Sequence, residues 1–225
     1  MAYTSFGFLA FLAIVVLLYY IVPKRFQWAV LLVASYSFYL FSGVEQVAFI
    51  IGTTVVTYLS GRIMQKKRDA YKAELAKLGS DITKEQKQSM KKAVNSKIKR
   101  IQFASVLINL FVLAMIKYLN FGIENLNTVF NLFRFDIELN PLKNIIIPLG
   151  ISFYTFQTMS YTIDCYRGKV KPQRNFLDFA VFVTMFPQLI AGPIVRYVDV
   201  VRELEHRTHS WENVALGLRR FLIGL

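Results

Sequence analysis

The chain has 225 residues, of which 55% are hydrophobic, and its formal net charge is +13. The hydrophobic residues form long uncharged runs, which are typical of membrane proteins and argue against a soluble globular domain. Lys and Arg are concentrated between those runs, so the basic charge is assigned to loops and not to a nucleic-acid interface.

Three apolar runs open the chain, and each is roughly long enough to cross a bilayer as a helix. They cover residues 5–22, 26–41 and 44–61. The first run lacks a basic segment before it and a clear cleavage site after it. We therefore interpret it as a retained membrane span and not as a signal peptide.

A polar stretch at residues 62–100 follows, with 13 basic and 4 acidic residues and a net charge of +9. It is rich in Ala, Leu, Lys, Glu and Gln, and Gly79 with the two residues after it interrupts this composition. The pattern predicts a helical hairpin whose second helix is capped at Ser80 or Asp81.

Two further spans are predicted at 101–119 and 144–164, the second with Pro148 and Gly150 inside it. The mixed, nearly neutral segment between them is too polar for a span, so we expect it to lie along a membrane surface. Apolar residues at helical spacing after Trp211 predict a final helix.

The apolar run at 176–195 differs from the others because Pro187, Gly192 and Pro193 fall in its second half. Proline removes a backbone donor, and a broken helix at membrane depth is tolerated only where protein or a wet cavity covers the freed groups. We therefore predict a re-entrant element here. The overall fold class expected is all-α, a polytopic membrane helical bundle.

The basic loops also predict an orientation. Residues 24–25, 62–100 and 167–174 all fall on one side if the chain crosses the bilayer at each of the five spans. The positive-inside rule assigns that side to the cytoplasm, which leaves the N-terminus outside. A re-entrant 176–195 keeps Arg196 on the same side. The expected location is the plasma or inner membrane of the cell, with several crossings.

A polar stripe lies on the fifth predicted span. Tyr154, Gln157 and Tyr161 fall at i, i+3 and i+7, and Asp164 and Arg167 continue the stripe at three-residue steps. Polar side chains at such depth usually face the bundle interior or a water-filled cavity, which predicts the lining of a substrate path. The alternative is ordinary interhelical hydrogen bonding, with Asp164 and Arg167 paired within one helix.

The Pro/Gly-rich segment 186–196 adds Gln188 and Arg196 as candidate lining residues, although a simple kink at the membrane surface would explain the segment equally well. His206 and His209 have no third ligand at metal-binding spacing, so a solvated surface is favoured over zinc or general-base chemistry. With a single cysteine, Cys165, neither an internal disulfide nor a thiolate metal cluster can form within one chain. No metal site is expected.

Two of these segments carry a resemblance to a known family. They are PLGISFYTFQ at 148–157, continued by Asp164 and Arg167, and FPQLIAGPIVR at 186–196. Together they resemble the membrane-bound O-acyltransferase family, and within it the bacterial alginate O-acetyltransferase type. The resemblance extends over the whole chain.

The resemblance implies a membrane enzyme that transfers an acyl group, with acetyl expected, to a hydroxyl of an exported polysaccharide. It implies a donor such as acetyl-CoA or an acyl carrier on the cytoplasmic side, no bound cofactor, and an acyl-transfer partner protein outside the cytoplasm. The family's catalytic histidine is expected beyond Leu225. The chain is then the N-terminal part of one domain and is expected to be inactive alone.

Two alternatives from other classes stay open. Broken helices and a polar stripe also occur in transporters and channels, although no inverted repeat is visible here. A non-catalytic membrane scaffold subunit is the other alternative, since the chain lacks the expected histidine.

Overall fold

A computed structural model describes residues 5–41, 43–79, 82–133, 139–141, 147–188, 194–205 and 210–224, with only the backbone of 202–205. Within these ranges the chain is helical and contains no strand, which confirms the all-α prediction. The helices are α1 Phe6–Ile21, α2 Gln27–Leu40, α3 Val44–Leu78, α4 Lys84–Leu132, α5 Ile151–Arg167, α6 Phe176–Thr184, α7 Tyr197–Glu205 and α8 Trp211–Gly224.

Two helices, α3 and α4, contain a stretch long and apolar enough to cross a membrane, and α1 is a shorter apolar helix. The predicted segments 5–22 and 26–41 correspond to α1 and α2. The helix α5 begins at Ile151 and not at residue 144. Pro148 lacks a backbone donor and Gly150 has φ of 71°, so both residues oppose an earlier start. Residues 142–146 lie outside the described part.

The polar stretch 62–100 is helical on both sides of a turn, because α3 and α4 continue into it without a break. The predicted cap at Ser80 or Asp81 is wrong, although both residues lie outside the described part. Thr83 caps α4: its side chain accepts from the Gln86 N–H, and the Gln86 side chain accepts from the Thr83 N–H. Such reciprocal bonding satisfies two donors that a helix start leaves free.

The other end of α4 also differs from expectation. The helix continues through residues 120–132, where the sequence predicted a surface segment. The part of that segment at 134–138 is not described, so its path stays a prediction. Residues 120–132 are polar enough to suggest a membrane interface, but they contain no proline that would end a helix.

The main core forms where α3, α4 and α5 pack against one another. Small polar residues from all three helices are buried there, among them Thr54, Thr57, Ser105 and Thr158. Asn109 donates to the Ser105 carbonyl at 2.8 Å and to the Thr57 hydroxyl at 3.5 Å. Small polar residues let helix backbones approach closely where lipid gives no hydrophobic driving force.

A second core joins the N-terminal helices to the break after α6. The helix α6 ends at Thr184, and a short 3₁₀ turn covers Phe186–Gln188. The ring of Phe186 packs edge-on against Phe11 at 5.4 Å between centroids and lies 5.6 Å from the ring of Phe38. Its N–H donates to the Ser35 hydroxyl. The turn is therefore anchored to α1 and α2.

This anchor gives a stability prediction. Phe186→Ala is expected to lower the free energy of unfolding by about 3–5 kcal/mol, because it removes a fully buried ring from an aromatic cluster. Thermal unfolding of the detergent-solubilised protein measures the loss. Phe186→Leu keeps most of the buried volume and should cost less than half as much. A loss below about 1 kcal/mol for Phe186→Ala would show that the cluster contributes little.

Candidate functional site

The helix α5 carries the polar stripe and is fixed at its C-terminal end. Gly168 adopts φ of 74°, and the N–H groups of Gly168 and Lys169 return to the carbonyls of Cys165 and Asp164. Such a left-handed glycine cap satisfies carbonyls that a helix end leaves free. From α3, Arg68 donates to the Tyr166 carbonyl at 2.6 Å, which places a cation at the negative end of α5.

Four stripe residues are buried inside the bundle: Tyr154, Gln157, Tyr161 and Asp164. Arg167, at the end of α5, is exposed. The periodicity therefore identified one continuous buried face. The polar contacts of this face reach α6, the turn after it, the basic loop (residues 167–174) and the segment before α7.

Gln157 joins α5 to the broken segment. Its amide nitrogen donates to the Phe182 carbonyl at 3.0 Å and to the Gln188 side-chain oxygen at 3.3 Å. The Phe182 carbonyl belongs to the last turn of α6, where no helical donor follows. Gln157 thus satisfies a carbonyl freed by the break and brings the two candidate motifs into contact through Gln188.

Tyr161 joins α5 to the basic loop. Its hydroxyl accepts from the Gln173 N–H at 3.0 Å, while its ring lies 4.6 Å from Phe179 and 5.0 Å from Tyr197. Gly61 on α3 lies beside the ring: a Cβ there would be 3.4 Å from the Tyr161 oxygen. The hydroxyl positions the loop, and the ring fills the core between α3, α6 and α7.

A conservative change separates these two roles. Tyr161→Phe keeps the ring but leaves the Gln173 N–H without its acceptor, so we expect a loss of about 1 kcal/mol in unfolding free energy and faster amide exchange at Gln173. The matched control is Tyr166→Phe, whose hydroxyl makes no hydrogen bond to any described residue. Exchange at Gln173 that is equally fast in both variants would contradict the assignment.

Asp164 forms an ion pair with Arg196, and the two atoms Oδ2 and Nη2 are 2.6 Å apart. The aspartate side chain is 4% exposed and that of Arg196 is 47% exposed. The hydrogen bond from Arg196 and the charge of Asp164 both raise the pKa of the guanidinium. The structure thus joins Asp164 to Arg196, and the alternative pairing with Arg167 is not formed.

The remaining candidate lining residues make fewer hydrogen bonds. Gln188 is half-buried and also donates to the Met185 sulfur at 3.1 Å. The Tyr154 hydroxyl is buried and has no hydrogen-bond partner among the described residues. Buried hydroxyls are usually satisfied, so this group is a candidate to contact a ligand or another protein segment. Residues 189–193, His206 and His209 lie outside the described part.

An open cleft of about 460 Å³ lies next to the stripe. It is bounded by the loop 169–174 and by Tyr197, Val198 and Val201 of α7. Three exposed cations, Lys169, Lys171 and Arg174, belong to this loop. Since the ring of Tyr197 packs edge-on against Tyr161, the cleft adjoins the buried polar face. Sequence reasoning missed Tyr197 and Gln173, because an aromatic contact and a backbone donor leave no spacing signal.

The chain is similar to several known proteins. It is 35% identical over 225 residues to a probable alginate O-acetylase of Azotobacter vinelandii, covering 100% of this chain and 40% of that protein. A probable alginate O-acetylase of Pseudomonas aeruginosa is also 35% identical over 225 residues, covering 100% of this chain and 38% of that protein. A peptidoglycan O-acetyltransferase of Helicobacter pylori is 28% identical over 226 residues, covering 88% of this chain and 36% of that protein.

The chain therefore spans about two fifths of the length of these curated relatives. No protein-family model and no solved structure matches it. The similarity covers both motif segments, which the structure joins through Gln157 with Gln188 and through Asp164 with Arg196. The predicted resemblance to the membrane-bound O-acyltransferase family is confirmed by these relatives, to which the chain is similar along its whole length.

Proposed function

We propose that the protein to which this chain belongs is a membrane O-acetyltransferase that esterifies a hydroxyl of a polysaccharide. The observation that carries the proposal is the similarity to O-acetylases over all 225 residues. The joined motifs support it, because they bring buried polar groups of α5 into contact with the broken segment, and polar groups at such depth are usually functional.

The proposed reaction has a simple balance. The acceptor hydroxyl attacks the carbonyl carbon of an acetyl thioester, a new C–O bond forms, the C–S bond breaks and the thiol leaves with the proton. A histidine beyond Leu225 is the proposed general base. The donor is acetyl-CoA or an acyl carrier. The acceptors named for the relatives are alginate and peptidoglycan, and one of these classes is the proposed acceptor here.

The residues of this chain have positioning roles in that proposal. Both protons of the Gln157 amide are used, one by Phe182 and one by Gln188, so Gln157 fixes the geometry of the break. Asp164 and Arg196 fix the other end of the same segment. Tyr154 retains a hydroxyl proton that no described residue accepts, which makes it the group best suited to contact the transferred acyl group or a facing helix.

The proposed orientation has the basic stretch 62–100 and the loop 167–174 in the cytoplasm, and residues 139–141 outside. Single-cysteine labelling tests it, with Cys165 buried and replaced by Ala as background. We expect Asn140→Cys to react with a membrane-impermeant maleimide in intact cells, and Lys92→Cys to react only after permeabilisation. Both side chains are exposed. The reverse pattern would contradict the orientation.

The activity itself is tested with the purified full-length protein in proteoliposomes. Acetyl-CoA labelled in the acetyl group is supplied with alginate or peptidoglycan, and base-labile label on the polymer is measured. The proposal expects label on one acceptor and none when the histidine beyond Leu225 is replaced by Ala. If no acceptor or partner combination yields ester, while the protein moves a solute across the vesicle membrane, the transporter alternative would replace this proposal.

A further inference from the structure

The extensions of α3 and α4 beyond the apolar stretches form a separate feature, here called the basic arm (residues 62–79 and 82–100). At 1.5 Å per residue, the 17 residues between Ile101 and Lys84 extend about 25 Å along α4. The α3 side is of similar length, because Leu78 lies 17 residues after Gly61. The arm is thus a stiff two-helix projection and not a collapsed loop.

The charge of the basic arm is not neutralised within the arm. The stretch 62–100 has a net charge of +9, yet no cation of its described residues lies within ion-pair distance of a carboxylate. Asp69, one of its few acids, accepts a hydrogen bond from Gln65 at 2.8 Å. An unpaired cluster of this size produces a positive potential that attracts a polyanion.

The position of the charge along the arm distinguishes between two possible polyanions, the lipid head groups and a soluble partner. Lipid head groups act on cations near the bilayer surface, and their field falls off within a Debye length, about 8 Å at physiological salt. Lys91 lies ten residues from Ile101, which is about 15 Å along the helix, and Lys84 and Lys87 lie further out. With the bilayer edge at the start of the predicted span 101–119 and α4 along the membrane normal, the outer lysines lie more than a Debye length from the lipid head groups, which favours a soluble partner.

The outer part of the basic arm also has a concave surface. A groove of about 430 Å³ runs between the two helices, and it is lined by Tyr71, Leu75, Lys84, Lys87, Gln88 and Lys91. Its floor is formed by Leu75 and the ring of Tyr71, and both residues are half-buried. The Tyr71 hydroxyl donates to the Lys87 carbonyl at 3.5 Å. An apolar floor flanked by lysines matches an amphipathic helix with an acidic rim.

We propose that the outer half of the basic arm is a docking site for a soluble acidic protein, which inserts apolar side chains of an acidic amphipathic helix between Tyr71–Leu75 and Lys84–Lys91. Association through such a site is steered by charge and weakens with salt. The site is distinct from the polar face of α5 and does not depend on the proposed acetyl transfer.

A defined probe tests the proposal: a fluorescein-labelled peptide with Leu on one helical face and Glu on the other. Its binding to the full-length protein in phosphatidylcholine nanodiscs is followed by fluorescence anisotropy. Lys84→Gln, Lys87→Gln and Lys91→Gln together are expected to raise Kd by about 10-fold or more. The matched triple Lys92→Gln, Lys97→Gln and Lys99→Gln removes the same charge away from the groove and should raise Kd by less than about 3-fold.

A peptide of the same composition, but with its Leu residues scattered around the helix, should bind about 10-fold more weakly or worse. Equal losses in the two triple variants would overturn the proposal, because they would indicate diffuse attraction without a groove. Disappearance of peptide binding when the nanodiscs contain phosphatidylglycerol would also overturn it, and would assign the arm to the membrane. So would an absence of binding in the full-length protein, which would mean that another part of the chain fills the groove.

Discussion

Replacing Gln157 with Ala in the full-length protein is expected to lower the rate of acetyl transfer by about 100-fold. The substitution removes both bonds that hold α5 against the break, one to the Phe182 carbonyl and one to Gln188. A buried carbonyl then loses its donor, and the turn at 186–188 loses its connection to α5. Displacements of about 1 Å in a positioning element are enough for a loss of that size.

The control for this variant is Ser160→Ala. The Ser160 hydroxyl donates only to the Gln157 carbonyl within α5 itself, so its removal leaves the contact between helices intact. We expect its activity to stay within about 3-fold of the wild-type value. Because Gln157 acts through geometry, the Gln157 variant should lower kcat with little change in the KM for the donor. Unchanged transfer in Gln157→Ala would remove the stripe from the proposed function.

Replacing Arg196 with Ala is expected to lower the melting temperature and to reduce acetyl transfer by about 10-fold or more. The carboxylate of Asp164 is almost fully buried, and Arg196 is its partner at 2.6 Å. Removal of the cation leaves a buried charge without compensation, which proteins tolerate poorly. The segment that leads into α7 also loses its ion pair with α5 and keeps the ring contact of Tyr197 with Tyr161 between the two helices.

A double-mutant cycle of Asp164→Asn, Arg196→Gln and the double variant isolates this pair. The double variant removes both charges and allows a neutral hydrogen bond, so its melting temperature should lie above that of Arg196→Gln alone. Arg196→Lys keeps the charge and should recover part of the activity. If the losses of the two single variants simply add up in the double variant, the pair makes no coupled contribution, and Arg196 would act as a surface residue.

The sequence predicted the buried face of α5 because helical periodicity is a local property. Tyr154, Gln157, Tyr161 and Asp164 recur on one side whatever surrounds them. Their partners were not predictable in the same way. The Phe182 carbonyl and the Gln173 N–H are backbone groups, which every residue has, and only the packing of α6 and the loop brings them near.

The ion pair shows how a local rule can select the wrong partner. Spacing of three residues made Arg167 a possible partner for Asp164, whereas Arg196, 32 positions away, takes that place. The limits of α3 and α4 illustrate a related difficulty. A change from apolar to charged composition marks a change in what surrounds a helix and not the end of the helix, so both helices continue through it on residues that favour helix.

The continuity of α3 has a mechanical consequence. The helix α3 passes unbroken from Val44 to Leu78 without a proline, so a tilt of its outer part is coupled to the part inside the bundle. Arg68, near the base of the outer part, donates to the Tyr166 carbonyl at the end of α5. Tyr58 donates to the Arg174 carbonyl at the far end of the loop that follows α5. A torque applied at the tip of the basic arm is therefore delivered to both ends of the loop that separates α5 from α6.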